Sequence, residues 1–307
     1  MKAVCIDAFG GADVLSIHDV PTPVPEEGEF LIKVHAAGVN PEDCQKRTGQ
    51  LARGEGLFPL TLGRDVSGVV VSAGEYTTGF NPGDEVFALL GVHQGGYAEY
   101  AVADARELAP KPKTLDPYHA AAVPLAALTA WQGLFDHGKL KENGRVLIHG
   151  AAGGVGHFAV QFARRHGARV ITTARREDFD LLRRLGADEV IDYKNDRFEE
   201  ETGNIDVVLD LIGGETQQRS WVVLRDGGIL VSVVARPPKE EISRHARGKA
   251  FDVKPNADQL RQISQMIDDS SVLVGVDTIL PLDEARRAHE HLEQEHVHGK
   301  VVLAIVA

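Results

Sequence analysis

Apolar and polar residues alternate in short runs through the first third of the chain, in the pattern of half-buried β-strands. These runs are Ala3–Phe9, Val14–Asp19, Glu29–Ala37, Ser67–Ala73, Glu85–Leu90 and Ala98–Ala103. Turn-forming residues such as Gly10-Gly11 and Asn81-Pro82-Gly83-Asp84 separate them. We therefore predict a β-rich domain of barrel type in this part of the chain.

The pattern changes at Pro117, where apolar residues take up helical spacing as far as Leu134. Short apolar runs then alternate with helical stretches, and the runs are Val146–Ile148, Val170–Thr173, Glu189–Asp192, Val207–Ile212, Ile229–Val234 and Ala250–Val253. Strands that are apolar on both faces and alternate with helices are typical of a parallel sheet covered on both sides. Six of them predict a doubly wound α/β domain.

The last fifty residues contain more elements than a six-stranded sheet requires. They predict a helix, a strand, a second helix and a final strand, at Ala257–Ile267, Leu273–Val276, Asp283–Glu293 and Val301–Ile305. We expect them to complete the first domain, so that one domain comprises residues 1–117 and 255–307 and the parallel domain, 118–254, is inserted into it. A chain of 307 residues has room for both.

A glycine-rich turn follows the first predicted parallel strand. Its candidate binding residues are Gly150, Ala152, Gly153, Gly154, Val155 and Gly156. Glycines spaced three apart allow a sharp turn and let a diphosphate approach bare amides at a helix N-terminus, which predicts a dinucleotide ligand. The spacing differs from the commoner Gly-x-Gly-x-x-Gly, and such a turn can also serve only the close packing of a helix on a strand.

Charge and cysteine content narrow the class of protein. The chain has 33 basic and 45 acidic residues, so its net charge is 33 − 45 = −12, which disfavours a nucleic-acid partner. Cys5 and Cys44 cannot form a disulfide framework, which indicates a reducing compartment. The sequence contains neither the apolar core of a secretory signal nor a membrane-length apolar run, so we expect a cytoplasmic protein without membrane contact.

Five sequence blocks in order resemble the medium-chain dehydrogenase/reductase superfamily, and most of all its zinc-free quinone oxidoreductase branch, which includes zeta-crystallin-like proteins. The blocks are Gly63–Val70, Phe80–Val86, Gly96–Tyr100, Gly150–Gly156 and Gly299–Leu303. The resemblance implies a GroES-like β domain that carries the active site, an inserted Rossmann domain and a cleft between them. It also implies a homodimer joined through the sixth parallel strand, here expected at Lys249–Val253.

The resemblance also bears on zinc. Zinc-dependent alcohol dehydrogenases of the superfamily have ligand residues where this chain has Asn40, Arg64 and Leu125. None of the three side chains can act as the expected ligand, so we expect no metal.

Four histidines near the C-terminus, His289, His291, His296 and His298, raise a separate metal question. Their spacing puts them on different sides of a helix and its end, without cysteine support. We therefore expect them to lie on a solvated surface.

The cofactor is predicted from the end of the second parallel strand, where NAD-binding chains carry an acidic residue and NADP-binding chains a cation. Here Arg175 and Arg176 follow the strand, and Glu177 comes only in the next helix. This predicts NADPH, although two surface arginines at a helix start are an alternative. By resemblance, the Tyr193 hydroxyl is a second contact for the 2′-phosphate; the alternative is an aromatic cap on the sheet edge.

Two further site residues are expected from the resemblance. Asn40 occupies a zinc-ligand position and is the expected catalytic residue, whose amide orients a carbonyl group; alternatively it only forms a turn before Pro41. Thr129 resembles a residue whose hydroxyl contacts the cofactor near its phosphates; alternatively it caps a helical turn. Asp43 and Asp65 are expected to hold loops.

Together these observations predict an NADPH-dependent, zinc-independent oxidoreductase. Without a strong Lewis acid, a quinone is the favoured hydride acceptor, and α,β-unsaturated ketones or enoyl thioesters are the alternative. A second alternative is an NADPH-binding sensor or RNA-binding protein of the zeta-crystallin type. The sequence marks no proton donor, and the loops expected to choose the acceptor are Leu51–Phe58 and Val92–Gln94.

Overall fold

The computed structural model describes residues 1–51, 58–237 and 246–305. The chain forms two compact units. The first comprises Met1–Leu125, Pro255–Ser270 and Val274–Ala307, and the second comprises Ala126–Lys254 and Ser271–Leu273. No helix within the described ranges is long and apolar enough to cross a bilayer.

The first unit is built on β-strands. They are β1 Lys2–Ile6, β2 Ser16–Asp19, β3 Glu29–Val39, β4 Leu60–Thr61, β5 Asp65–Ala73, β6 Glu85–Leu89, β7 Tyr100–Asp104, β8 Leu108–Pro110, β15 Val276–Pro281 and β16 Lys300–Ala304. A small antiparallel sheet has the order β2-β1-β4. A larger sheet has the order β15-β16-β3-β5-β6-β8, and β7 also pairs with β3.

Strand β3 is the centre of the larger sheet. It is eleven residues long, and all but three of them are buried. It pairs with β5, with β7 and, over its last residues, with β16, where Val39 lies opposite Val301. The register with β5 places Gly38 opposite Asp65. Three strands that are distant in sequence therefore meet at the end of β3.

The helices of this unit are α1 Pro41–Arg47, α2 Pro117–Ala121, α8 Ala257–Asp268 and α9 Ala285–Gln294. Helix α1 shows why the chain turns immediately after β3. Asn40 is its N-cap, Pro41 is its first residue, and Glu42 and Asp43 place negative charge in its first turn. Asn40 is thereby fixed at the junction of strand and helix.

The second unit has the predicted doubly wound architecture. Its strands are β9 Arg145–His149, β10 Arg169–Ala174, β11 Glu189–Asp192, β12 Ile205–Asp210, β13 Leu224–Ser232 and β14 Arg247–Ala250. All neighbouring pairs are parallel, in the order β11-β10-β9-β12-β13-β14. Its helices are α4 Gly156–Arg165, α5 Phe179–Leu185, α6 Phe198–Glu201 and α7 Gly214–Arg219. The predicted α/β fold with a six-stranded parallel sheet is confirmed.

Some element bounds differ from the predictions. The helix predicted from Pro117 to Leu134 is divided into α2 and α3, Pro124–Trp131, because Pro124 interrupts the hydrogen-bond pattern. The sixth parallel strand was predicted from apolar residues at 250–253, but residues 247–250 pair with β13. This is an edge strand with three exposed residues, so it lacks the apolar signal of the strands inside the sheet.

His149 ends β9 and is completely buried. Its Nε2 lies 2.9 Å from Ser220 Oγ, and its Nδ1 lies 2.8 Å from Thr173 Oγ1. The Ser220 hydroxyl donates its own proton to Thr216 O, so it accepts from His149 and Nε2 carries the proton of a neutral ring. Burial lowers the pKa of His149 to about 4.

This buried neutral histidine predicts an acid-sensitive fold. Below pH 6.5 the unfolded chain binds a proton at His149 that the folded chain does not, so stability is lost as the pH falls from about 6.5 to about 4. In the parent protein we expect His149 to lower the free energy of unfolding by about 2 kcal/mol between pH 7 and pH 5, and His149→Gln should not show this loss. Urea unfolding at both pH values measures it.

The matched control is His93→Gln, because His93 is exposed. It should keep the pH dependence of the parent protein. An unchanged pH dependence in His149→Gln would show that another group is responsible for the acid sensitivity.

Candidate active site

The glycine-rich turn connects β9 to α4. Gly150 has a φ of +72°, and the N–H of Gly153 donates to Gly150 O at 3.2 Å. A Cβ on Gly156 would lie 2.2 Å from Gly150 O, whereas a Cβ on Gly153 would meet only that oxygen, at 3.5 Å. Gly156 therefore allows the helix to pack on the turn, and Gly153 leaves an open backbone surface. Gly156 fits the interpretation that the turn serves helix packing, and Gly153 fits the interpretation that the turn leaves room for a diphosphate.

The turn is supported by the loop that follows β12. A Cβ on Gly150 would lie 3.1 Å from Ile212 Cδ1. The buried Asp210 carboxylate accepts from Ile212 N at 3.0 Å, from Gly213 N at 2.8 Å and from Gln217 Nε2 at 2.8 Å. Sequence reasoning missed Asp210, although an acidic residue at the end of an apolar strand is a usable signal for such a loop anchor.

Two of the predicted phosphate contacts lie together at the ends of neighbouring strands β10 and β11. Arg175 Nε donates to the Tyr193 hydroxyl at 3.2 Å, and Arg175 Nη1 lies 3.4 Å from Glu177 Oε1. Tyr193 is 49% exposed. Arg176 instead places its guanidinium 5.8 Å from the centre of the Phe179 ring. Arg175 and Tyr193 thus form one polar group, and Arg176 stands apart from it.

The other predicted cofactor residues lie in elements of the same unit. Thr129 is buried within α3. Ala152 is buried within the turn, and Val155 precedes the first residue of α4.

In the first unit, Asn40 is part of a buried three-residue cluster. Its Nδ2 donates to Asp65 Oδ2 at 2.9 Å, and its Oδ1 accepts from the Lys300 ammonium. Lys300 Nζ also lies 3.3 Å from Asp65 Oδ2 and donates to Val39 O at 3.0 Å. The side chain of Lys300 is 4% exposed and that of Asp65 is completely buried. We call these three residues the lysine–amide–carboxylate cluster.

The other two positions that the sequence comparison raised for zinc have different roles. Arg64 is buried, pairs with Glu42 at 2.9 Å and donates through Nε to Leu90 O at 2.8 Å. The backbone N–H of Leu125 donates to Asp65 Oδ1 at 2.6 Å. These interactions secure loops around the cluster.

A chain of hydrogen bonds reaches Asn40 from helix α9. Arg47 Nη1 lies 3.1 Å from His289 Nδ1. Because arginine can only donate, Nδ1 accepts this hydrogen bond and the ring proton lies on Nε2. Nε2 lies 3.3 Å from Tyr97 OH, and that hydroxyl donates to Asp43 Oδ2 at 3.0 Å. The same carboxylate oxygen accepts from Asn40 N at 2.8 Å.

His289 corrects the prediction of a solvated histidine surface, since it is completely buried. It occupies the inward face of α9, where hydrogen bonds from Arg47 and to Tyr97 satisfy both ring nitrogens. The spacing of the four histidines does not reveal the burial of His289, because the sequence of a helix with many polar residues does not show which face is covered.

Burial shifts the pKa values of the groups in and beside this chain of hydrogen bonds. It raises the pKa of Asp43 to about 6, against the lowering effect of the hydrogen bond from Asn40 N–H. It lowers the pKa of His289 to about 3, with a further contribution from the Arg47 charge. Burial also raises the pKa of the Cys44 thiol, whose Sγ lies 3.4 Å from His289 Nδ1, to about 12. Asp43 is therefore the member of this group that titrates closest to neutrality.

Sequence reasoning missed Lys300, Tyr97 and His289 as neighbours of Asn40. A signal existed for two of them, because Tyr97 and Lys300 lie in blocks that carry the family resemblance. Asp43 accepts a hydrogen bond from Asn40 N, and Asp65 accepts from Asn40 Nδ2 and Leu125 N. These contacts fit the expectation that both residues hold loops.

Two protein-family descriptions match the chain. The alcohol dehydrogenase GroES-like domain matches residues 26–113, and the zinc-binding dehydrogenase family matches residues 185–303. The first match lies within the β-rich unit and includes Asn40. The second extends from the parallel sheet into the C-terminal strands.

Individual relatives cover nearly the whole chain. The mouse protein named quinone oxidoreductase is 34% identical over 97% of this chain and 95% of its own. The chloroplastic NADPH-dependent alkenal/one oxidoreductase of Arabidopsis thaliana is 36% identical over 99% of this chain and 79% of its own. The structure of the quinone oxidoreductase from Coxiella burnetii has a TM-score of 0.92 and 35% identity, covering 100% of this chain and 99% of its own. The chain belongs to the medium-chain dehydrogenase/reductase superfamily, in its quinone oxidoreductase branch.

Proposed function

We propose that the protein is a zinc-independent reductase that uses NADPH to transfer hydride to a quinone. The observation that carries the proposal is the lysine–amide–carboxylate cluster, which offers an amide donor where a metal site would need thiolate or imidazole ligands. An amide can orient a carbonyl group but cannot act as a strong Lewis acid. Quinones suit such a site because their reduction gives an aromatic product.

The second unit has groups that fit NADPH. Gly153 leaves space beside the N-terminus of α4, since a Cβ there would meet only Gly150 O at 3.5 Å, and this space suits a diphosphate. Arg175 and Tyr193 offer a guanidinium and a hydroxyl next to each other, which suits a 2′-phosphate. When bound, NADPH supplies the hydride. The protein residues bind and orient its phosphates.

Reduction of α,β-unsaturated carbonyl compounds is the second candidate. It is supported by the similarity to the Arabidopsis alkenal/one oxidoreductase. Residues 52–57, in one of the two loops expected to choose the acceptor, lie outside the described residues. In the other loop, Val92 O accepts from Lys46 Nζ at 3.1 Å. This contact fixes the loop backbone and leaves the Val92 side chain exposed.

The proposal includes a cytoplasmic homodimer. Both cysteines are free and buried, which supports a reducing compartment.

Strand β14 lies at the edge of the parallel sheet, and an exposed strand edge can pair with a second copy. Sedimentation equilibrium measures the oligomeric state directly, and a monomer at micromolar concentration would contradict the dimer.

The acceptor is tested by following NADPH oxidation with a panel of quinones and a parallel panel of enones and enoyl thioesters. We expect the highest kcat/KM with quinones and no loss of rate after treatment with a zinc chelator. Faster reduction of the enones would establish the second candidate instead. Tight NADPH binding without activity on either panel would exclude both.

Arg175→Ala should weaken NADPH binding by about 2 kcal/mol, roughly 30-fold, because a charge-assisted contact to the 2′-phosphate is lost. NADH binding should be unchanged, since NADH lacks that phosphate. Titration of cofactor fluorescence measures both affinities. Arg176→Ala is the control and should have little effect, because Arg176 lies over Phe179. Equal losses for the two cofactors would refute the assignment.

Gly153→Val should abolish NADPH binding and leave the thermal unfolding temperature nearly unchanged. The added side chain enters the open surface of the turn, where a Cβ meets only Gly150 O at 3.5 Å. Gly156→Ala should instead destabilise the fold, because its Cβ would lie 2.2 Å from the same oxygen. Calorimetry of both variants measures the contrast, and full NADPH affinity in Gly153→Val would place the diphosphate elsewhere.

A further inference from the structure

The Lys300 ammonium is a buried charge whose hydrogen bonds are all internal. It has three N–H donors and three acceptors close to it, namely Val39 O, Asn40 Oδ1 and Asp65 Oδ2. With a side chain 4% exposed and its donors occupied, it has no hydrogen left for a ligand. Any effect of this charge on a bound molecule must therefore act through one of its partners.

Asn40 is the partner through which it can act. Lysine can only donate and an ionised aspartate can only accept, so the carboxamide has one possible orientation, with Oδ1 towards Lys300 and Nδ2 towards Asp65. One of the two Nδ2 hydrogens is used by Asp65. Within the described residues the other has no acceptor, so the amide keeps one N–H available for a ligand.

The two contacts polarise the amide in the same sense. A cation at the amide oxygen and a carboxylate at the amide N–H both favour the charge-separated form, in which the nitrogen is more positive. Hydrogen bonds in such a chain strengthen one another, and the effect is larger away from water. Asn40 is 1% exposed and Lys300 is similarly buried, so solvent does not screen the interaction.

We propose that Lys300 is a positioning residue that makes Asn40 a charge-assisted hydrogen-bond donor to an oxygen that becomes anionic during reduction. The inference rests on the proposed reductase function and deepens it. An acceptor that takes up a hydride gains two electrons, and its carbonyl oxygen becomes a phenolate or enolate. A proton from water then completes the reduction. The Asn40 N–H stabilises the anionic oxygen before that proton arrives.

The inference is tested first by binding, without cofactor or turnover. The probe is 4-nitrophenol, which resembles a hydroquinone monoanion, and its absorbance reports its ionisation in the bound state. We expect the protein to lower the pKa of bound 4-nitrophenol, and we expect Lys300→Met to weaken binding of the phenolate at least 10-fold. The neutral analogue 4-nitroanisole should bind both proteins equally.

Lys33→Met is the matched control, because it removes the same charge from an exposed position on β3. It should bind the phenolate as the parent protein does. Equal phenolate affinity in Lys300→Met and Lys33→Met, or a parent protein that does not prefer the phenolate to 4-nitroanisole, would overturn the inference.

Lys300→Met leaves Asp65 without its cation and can fail to fold, so a second variant keeps the test decisive. Asn40→Ala removes the amide donor and leaves Lys300 with Asp65 and Val39 O as partners. We expect it to fold, shown by its circular dichroism, and to lose phenolate binding at least 10-fold. Retained phenolate binding in Asn40→Ala would also overturn the inference.

Kinetics separate this inference from the proposed function. If the parent protein reduces quinones with NADPH, Lys300→Met should lower kcat at least 10-fold with the NADPH dissociation constant unchanged. An unchanged kcat would contradict the inference and leave the proposed function standing. A parent protein that binds phenolate but reduces no acceptor would contradict the proposed function instead.

Discussion

The burial of the Lys300 charge is the constraint on which the first unit depends most. A lone buried ammonium costs several kcal/mol, so it is stable only where hydrogen-bond acceptors and a counter-charge are already in place. Val39, Asn40 and Asp65 provide them from the end of β3, the start of α1 and the start of β5. The registers that place Val39 opposite Val301 and Gly38 opposite Asp65 bring these groups together. The fold and the candidate site therefore rest on the same pairing of strands.

Other buried polar groups in the two units carry little further net charge. His149 and His289 are buried as neutral rings. A neighbouring acceptor, Ser220 Oγ, fixes the ring proton of His149, and a neighbouring donor, Arg47, fixes that of His289. Arg47 and Arg64 are buried next to Glu293 and Glu42. Directional hydrogen bonds of this kind restrict the orientation of each side chain. Asn40 therefore has a defined orientation before any ligand binds.

The second unit divides its tasks among residues that look alike in sequence. Gly156 permits helix packing and Gly153 leaves an open surface, although both belong to one motif. Arg175 meets Tyr193 while Arg176 lies over Phe179, although the two arginines are adjacent. The proposed function therefore assigns cofactor choice and the approach of the diphosphate to single residues, each with its own measurable role.

The sequence by itself determined the fold class, because hydrophobic periodicity is local and each period belongs to one kind of element. It also determined five of the six parallel strands, the glycine turn and the paired arginines, because each is a local pattern of the chain. It placed the edge strand β14 wrongly, since that strand has no buried face to mark it. Only the tertiary structure brought Lys300 to Asn40, across 260 positions of the chain, and turned His289 inward. Contacts of this range follow from strand register and from the choice of a buried helix face, and no local pattern encodes either.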